Sequence, residues 1–201
     1  MMDHIKTAME MDGEAPVEDR VLTLWFGAED DPTRHDFKPW WFQTSDALDA
    51  TLIALFTKAV GDAIAGRLDH LAETPRGTLA LIILLDQFPR NIWRGRDKAF
   101  SGDAKARALA QEVIKRGYDR EYAKVERLFC YLPFEHSEDL VDQERSLALF
   151  ERLEDKDVYD YALRHYEIIA RFGRFPHRNA ALGRETTEEE AKFLLEPGSS
   201  F

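Results

Sequence analysis

The sequence predicts an all-α protein, and three observations carry that prediction. Apolar residues recur at three- and four-residue steps, as in Leu48, Leu52, Leu55, Phe56, Ala59, Val60 and Ala63. That spacing puts them on one face of a helix. No segment alternates apolar and polar residues as a half-buried strand would, and Gly and Pro fall between helical blocks rather than in hairpin pairs. Finally, the consecutive apolar residues Leu79 to Leu85 follow a helix-start signature. Thr74 offers a side-chain cap, and Pro75 fits the first turn, where its missing N–H is not needed. At about 100° per residue the run covers the whole circumference of a helix, so this helix must be buried. It is too short to span a bilayer, which takes about 20 apolar residues.

Residues 1–15 read as a polar leader open to fraying, ahead of a single all-helical domain over 16–201. The first helix is expected from Pro16 to Phe26, with Val21, Leu24 and Trp25 inward and Gly27 as its stop. Pro39-Trp40-Trp41-Phe42 reads as an aromatic plug at the edge of the core, with a ligand-stacking platform as the rival. Ser45 or Asp46 caps the long helix of the 48–63 stripe, and Gly66 breaks it. Leu68 to Ala72 form a short turn before the central helix, which is expected to stop at Pro89 because proline pushes the residue before it out of the α region.

Asp103 to Arg116 carry a small-residue stripe, Ala106, Leu109, Ala110 and Val113, closed by Gly117. Asp119 is expected to open a helix ended by Pro133, and Ser137 to cap the next, which reaches about Leu153. On that helix His136 and Gln143 share a stripe with Leu140, Leu147 and Phe150. The helix from Lys156 to Phe172 repeats the anomaly, with His165 in line with Val158, Ala162, Ile169 and Phe172. Buried polar groups need hydrogen-bond partners, so something must be arranged for these. The pairs 103–132 and 138–172 begin close to the ~34-residue period of tetratricopeptide repeats, which by itself supports no more than a degenerate solenoid.

The totals exclude several classes. A formal charge of −11 argues against a nucleic-acid binder, which needs a basic stripe. The lone Cys130 has no partner for an internal disulfide or a Cys-x-x-Cys site, and its apolar neighbours argue against a reactive thiolate. Residues 1–20 lack the apolar region of a signal peptide. A cytoplasmic location with no membrane partner is expected. No spacing puts two ligands on one helical face, and no phosphate loop or dinucleotide fingerprint is present, so no metal and no cofactor is expected.

What stands out is a pair of turns. Gln87-Phe88-Pro89-Arg90-Asn91 is echoed by Arg174-Phe175-Pro176-His177-Arg178-Asn179. An acidic protein has concentrated arginines beside both, with Arg90, Arg94 and Arg96 at the first and Arg164, Arg171, Arg174, Arg178 and Arg184 at the second. Guanidinium forks match carboxylate or phosphate, so the turns are expected to converge on an anion. The bland alternative is that these arginines tie helix ends together by pairing with Asp86, Glu135, Glu138 and Asp139. The candidate ligand-binding residues are Arg90, Asn91, Glu135, His136, Gln143, Arg174, His177, Arg178 and Asn179.

These motifs, Leu85 to Asn91, Tyr131 to Asp139 with Gln143-Glu144, and Arg171 to Asn179 with Leu182-Gly183-Arg184, together resemble the bacterial domain-of-unknown-function family 924. The resemblance covers about Val17 to Phe201, including Leu24-Trp25-Phe26-Gly27. It implies antiparallel helix pairs in a tetratricopeptide-like right-handed array around the buried central helix, and it implies no activity. Three functions follow from the residues. The leading one is a helical binding module whose arginine-lined site takes a small anion or an acidic peptide end. The second is a hydrolase-type small-molecule enzyme using His136, Glu135 and His177 as acid–base groups. The third is a structural interaction protein with no ligand site. The sequence leaves oligomeric state open.

Overall fold

The computed structural model describes residues 1–11, 13 and 15–200, and every regular element among them is helical. None of these helices is long and apolar enough to cross a membrane. The leader contains a helix, α1 (Met2–Glu10), which buries His4, Ile5 and Ala8 and packs on α2 (Val17–Phe26). The aromatic segment Pro39–Phe42 is a 3-10 turn whose Trp41 is buried and donates Nε1–H to the Trp25 carbonyl at 2.9 Å. Trp41 stacks 6.5 Å from Trp25 and meets Phe129 edge-on at 4.8 Å. The segment therefore contributes to the core. Ser45 caps α3 (Asp46–Ile64), accepting from Leu48 N–H, and Leu48, Leu52, Phe56, Val60 and Ala63 are buried.

The central helix begins as expected, with the Thr74 hydroxyl accepting from Gly77 N–H at 3.1 Å and Pro75 leading α4 (Pro75–Ile82). Residues 80–85 are fully buried and Leu79 is 2% exposed. The expected stop at Pro89 does not occur. Instead the helix widens into a π turn (Ile83–Gln87), in which Phe88 N–H reaches back to the Ile83 carbonyl, and continues as α5 (Phe88–Ile92). Inserting the wider turn places Pro89 in the first turn of a new helical segment, where an absent N–H is tolerated. The result is a helix that passes through the core and carries Asp86, Gln87 and Arg90 past its wall.

Gly102, just before α6 (Asp103–Arg116), lies flat against this π turn. A Cβ there would sit 2.1 Å from the Leu85 carbonyl oxygen. Gly102→Ala must therefore push backbone from backbone. A loss of about 3 kcal/mol is expected, read as a melting temperature lower by roughly 6–12 °C; a variant melting with the parent would refute the close approach.

Two further starts and one stop differ from the sequence reading. Asp119 lies in a 3-10 turn, Tyr118–Arg120, and accepts from the Tyr131 hydroxyl at 2.9 Å. The helix itself, α7 (Lys124–Glu135), starts later, with the Glu126 carboxylate accepting from Ala123 N–H. Pro133 falls inside α7, and the chain closes the last turn through His136 N–H to the Leu132 carbonyl at 2.9 Å. Asp139, not Ser137, caps α8 (Leu140–Glu151); the Ser137 hydroxyl instead donates to Asp142 at 2.8 Å. Leu140 is consequently exposed, and the buried residues of α8 begin at Asp142 and Gln143.

Next, α9 (Lys156–Phe172) ends at Gly173, whose φ of 68° is the left-handed conformation that glycine adopts without steric penalty. A 3-10 turn (Pro176–Arg178) and α10 (Glu188–Phe193) complete the described chain. Consecutive helices pack in pairs, α6 on α7, α7 on α8 and α8 on α9. A second, smaller core of Ile168, Ile169 and Phe175 holds the final turn against α9.

Candidate functional site

At the exit of the central helix the π turn presents Asp86, which has no exposed surface. Burying a carboxylate is costly unless it is paired, and this one is. His136 Nδ1 lies 2.8 and 2.9 Å from its two oxygens, Gln87 Nε2–H donates at 2.6 Å, and Arg90 Nη1 stands 3.4 Å away. Burial alone would raise the Asp86 pKa. The hydrogen-bonded His136 ring, the Arg90 cation and the Gln87 amide outweigh it and hold the carboxyl well below its ordinary range. Burial, then Arg90, push His136 downward, so Nδ1–H donates to the carboxylate from a neutral ring. No hydrogen-bond partner of its Nε2 stands among the described residues, and 14% of the side chain is exposed.

The second Phe-Pro turn arrives at the same place. Arg90 grips Asp103 in a fork, Nη1 to Oδ1 at 2.8 Å and Nη2 to Oδ2 at 3.0 Å, while Arg178 Nη1 stands 3.8 Å from that same Oδ2. Both guanidinium groups lie over the Phe100 ring, at 5.7 and 4.9 Å, and Arg178 also covers Phe175 at 4.4 Å. Arg178 donates to the His136 carbonyl at 3.0 Å, at the negative end of α7, but its buried Nε–H has no partner. Burial and then the like charge of Arg90 lower its pKa to about 10. His177 is lowered to about 4, first by burial and then by Arg178. Two guanidinium groups, Arg90 and Arg178, and two carboxylates, Asp86 and Asp103, thus share the junction.

Behind His136 sits a second carboxyl. Glu135 is buried, with Oε1 3.2 Å from His165 Nδ1, and burial followed by repulsion from Asp86 raises its pKa to about 8. His165 is kept neutral, chiefly by burial, and its ring centre is 6.3 Å from that of His136. Two carboxyls a short distance apart are thus pushed in opposite directions, one ionised and one protonated at neutral pH, a pattern common where proton chemistry is done.

The nine candidates divide. Arg90, Glu135, His136, His177 and Arg178 meet at this junction. Gln143 is fully buried behind it and ties down the end of α7, donating at 2.6 Å to both the Glu135 and Ser137 carbonyls. Asn91 faces α3, where its amide donates to Asp49 beside Arg94. Arg174 forks onto Glu190 at 2.6 and 2.9 Å, a pairing that holds Glu190 down at about 2. Asn179 accepts from Arg184 and donates to Thr186 and Glu190, so these residues fasten the C-terminal segment. Arg184 in turn forks onto Glu138, which also accepts from Phe175 N–H.

Asp103, Phe100 and His165 belong to the junction but were not singled out for it. Only His165 had a visible signal, its place on an apolar stripe; nothing in the sequence marks Asp103 beyond its position at a helix start. Among the described residues no group of three or more His, Cys, Asp or Glu is placed to hold a metal ion. Concavities of about 710 Å³ beside Phe172 and Phe193 and about 300 Å³ beside Tyr122 lie elsewhere. At the junction the edges of His136, Arg90 and Asp103 reach solvent, with side-chain exposures of 14%, 19% and 24%, His177 and Phe100 are half-buried, and 7% of the Arg178 side chain is exposed. A ligand there has to be small.

The molecule is thus an all-helical protein with a carboxylate–histidine–arginine junction at the end of its central helix. A family model described as bacterial protein of unknown function (DUF924) matches residues 21–198, and the chain belongs to that family. It is similar to a solved structure of a protein of unknown function from Agrobacterium tumefaciens, with 42% identity and a TM-score of 0.73 over 77% of this chain and 87% of the other. No curated protein matches.

Proposed function

We propose that this protein is a cytoplasmic helical binding module that holds a small anion, or the acidic end of a peptide, where its two Phe-Pro turns meet. One observation carries the reading: Arg178 is buried, its pKa is lowered first by that burial and then by its neighbour Arg90, and its Nε–H is without a partner. An arriving carboxylate or phosphate relieves that repulsion and supplies the missing acceptor. The stacking of α6 and α7 on α8 and α9 supports a tetratricopeptide-like array as the frame. A second reading, in which the arginines only fasten helices, is favoured by the complete fork between Arg90 and Asp103.

Melting curves with added phosphate or citrate separate the two. An anion at 100 times its dissociation constant stabilises the parent by about 2.7 kcal/mol, and Arg178→Lys, which keeps the charge but not the fork, loses most of that increment. If neither anion moves the melting temperature of the parent, the binding reading fails and the fastening role stands alone.

A further inference from the structure

Nothing in simple anion binding requires the most costly feature of the junction, a fully buried carboxylate committed to one imidazole. Asp86 meets His136 Nδ1 with both oxygens, and is itself fixed by Gln87 and Arg90. This fixes the tautomer: the proton is on Nδ1, and Nε2 keeps its lone pair on a ring that is 14% exposed. A histidine so held is a proton acceptor whose imidazolium, once formed, is stabilised by the carboxylate behind it. The charged and titratable groups facing the ring are Asp86 and Arg90 from the central helix, His165 from α9, and His177 and Arg178 from the final turn.

The surroundings narrow the chemistry. Ser137 follows His136 directly, but its hydroxyl donates to Asp142 and faces Arg107. Cys130 is fully buried, and burial pushes its thiol up. Neither is a nucleophile for Nε2 to activate, which leaves water. Arg90, 3.4 Å from the same Asp86 oxygen that His136 grips at 2.8 Å, puts a cation in the same cluster as the ring, and a nearby cation favours the negative charge that develops on a carbonyl oxygen under attack.

We propose that Asp86 and His136 form the acid–base centre of a hydrolytic site, cleaving an ester in a small molecule whose own carboxylate is held by Arg178; this rests on the anion-binding reading. His136 is the catalytic residue and Asp86 its positioning residue. Water oxygen bonds to the ester carbon as its proton passes to Nε2. The carbon–oxygen bond to the alcohol then breaks, and the leaving alkoxide takes the proton back from Nε2. The products are an acid and an alcohol, and nothing is oxidised or reduced.

The test uses mono-4-nitrophenyl succinate, an ester with a free carboxylate, and 4-nitrophenyl acetate, which lacks one. The whole protein is expected to hydrolyse the succinate ester in preference, with phosphate competing by raising KM alone. His136→Gln should lose about 100-fold or more in kcat; because the glutamine amide can still donate to Asp86, which keeps Gln87 and Arg90, the variant is expected to fold. Asp86→Asn should lower kcat and move the acid limb of the kcat profile to lower pH, a shift that a merely structural carboxylate would not produce. If Asp86→Asn does not fold, His136→Gln alone decides. Phosphate binding without ester hydrolysis above the buffer rate, or an undiminished rate in His136→Gln, overturns the hydrolytic inference and leaves the binding site intact. Failure of phosphate to bind or compete, or equal rates on the two esters, overturns the anchoring by Arg178 instead.

Discussion

Leu84→Asp is expected to abolish cooperative folding. Leu84 has no exposed surface, and neither do its neighbours Leu81, Ile82, Ile83 and Leu85, so no rotation of the helix brings position 84 to water. The π turn that begins at Ile83 sharpens the effect, because its altered register ties Phe88 back to the Ile83 carbonyl and fixes where each side chain points. An aspartate there either ionises without a partner or takes up a proton and leaves its oxygens unsatisfied. The first costs several kcal/mol, the second a further loss on top of the packing that Leu84 supplied, about 2–5 kcal/mol by analogy with leucine truncation. The sum matches the whole stability of an ordinary domain, about 5–15 kcal/mol. Circular dichroism and a thermal melt check it: a soluble Leu84→Asp protein with a parent-like transition would show that the central helix is not the core.

That central helix was legible because nothing but burial accounts for seven apolar residues in a row, and its capping threonine and leading proline are local signals. Its continuation past Pro89 was not, since proline's preference is a local rule and the π turn that accommodates it is packed against backbone from elsewhere, with Gly102 close to Leu85. The same split runs through the site. Meeting of the two Phe-Pro turns was readable from uneven arginine placement in an acidic chain. Which arginine fastens and which is underpaired was not, because that turns on single carboxylates brought from elsewhere. Asp103 occupies Arg90, and Glu190 occupies Arg174 from a helix that only the folded chain brings close. Asn91 and Asn179 look equivalent in the two motifs, yet one faces α3 and the other the C-terminal segment. A motif specifies its own turn and is silent about what packs on it.

Glu135→Gln is expected to raise stability at alkaline pH and to flatten its pH dependence. Glu135 is buried, and burial with repulsion from Asp86 lifts its pKa from 4.5 to about 8. A carboxyl whose folded pKa lies above its unfolded value contributes fully below the unfolded value and progressively less as pH rises through the folded one. Between pH 4.5 and 8 unfolding releases the proton, so each unit of pH costs about 1.4 kcal/mol. Part of that window is masked. His177, lowered to about 4, and His165, lowered well below its ordinary value chiefly by burial, bind protons when the chain unfolds, so below 6.5 they make stability rise with pH. From pH 6.5 to 8 Glu135 acts without that opposition, and the parent should lose about 2 kcal/mol across the interval. Glutamine cannot ionise, so the variant should hold constant there and, at pH 8, exceed the parent by as much as roughly 5 kcal/mol. Below pH 6.5 the variant should fall off with acid more steeply than the parent, because the histidines are then unopposed. Urea unfolding at pH 5, 6.5 and 8 reads all three. A parent whose stability is level from 6.5 to 8 would mean that Glu135 stays ionised, and the opposed pair of carboxyls at the junction would be lost with it.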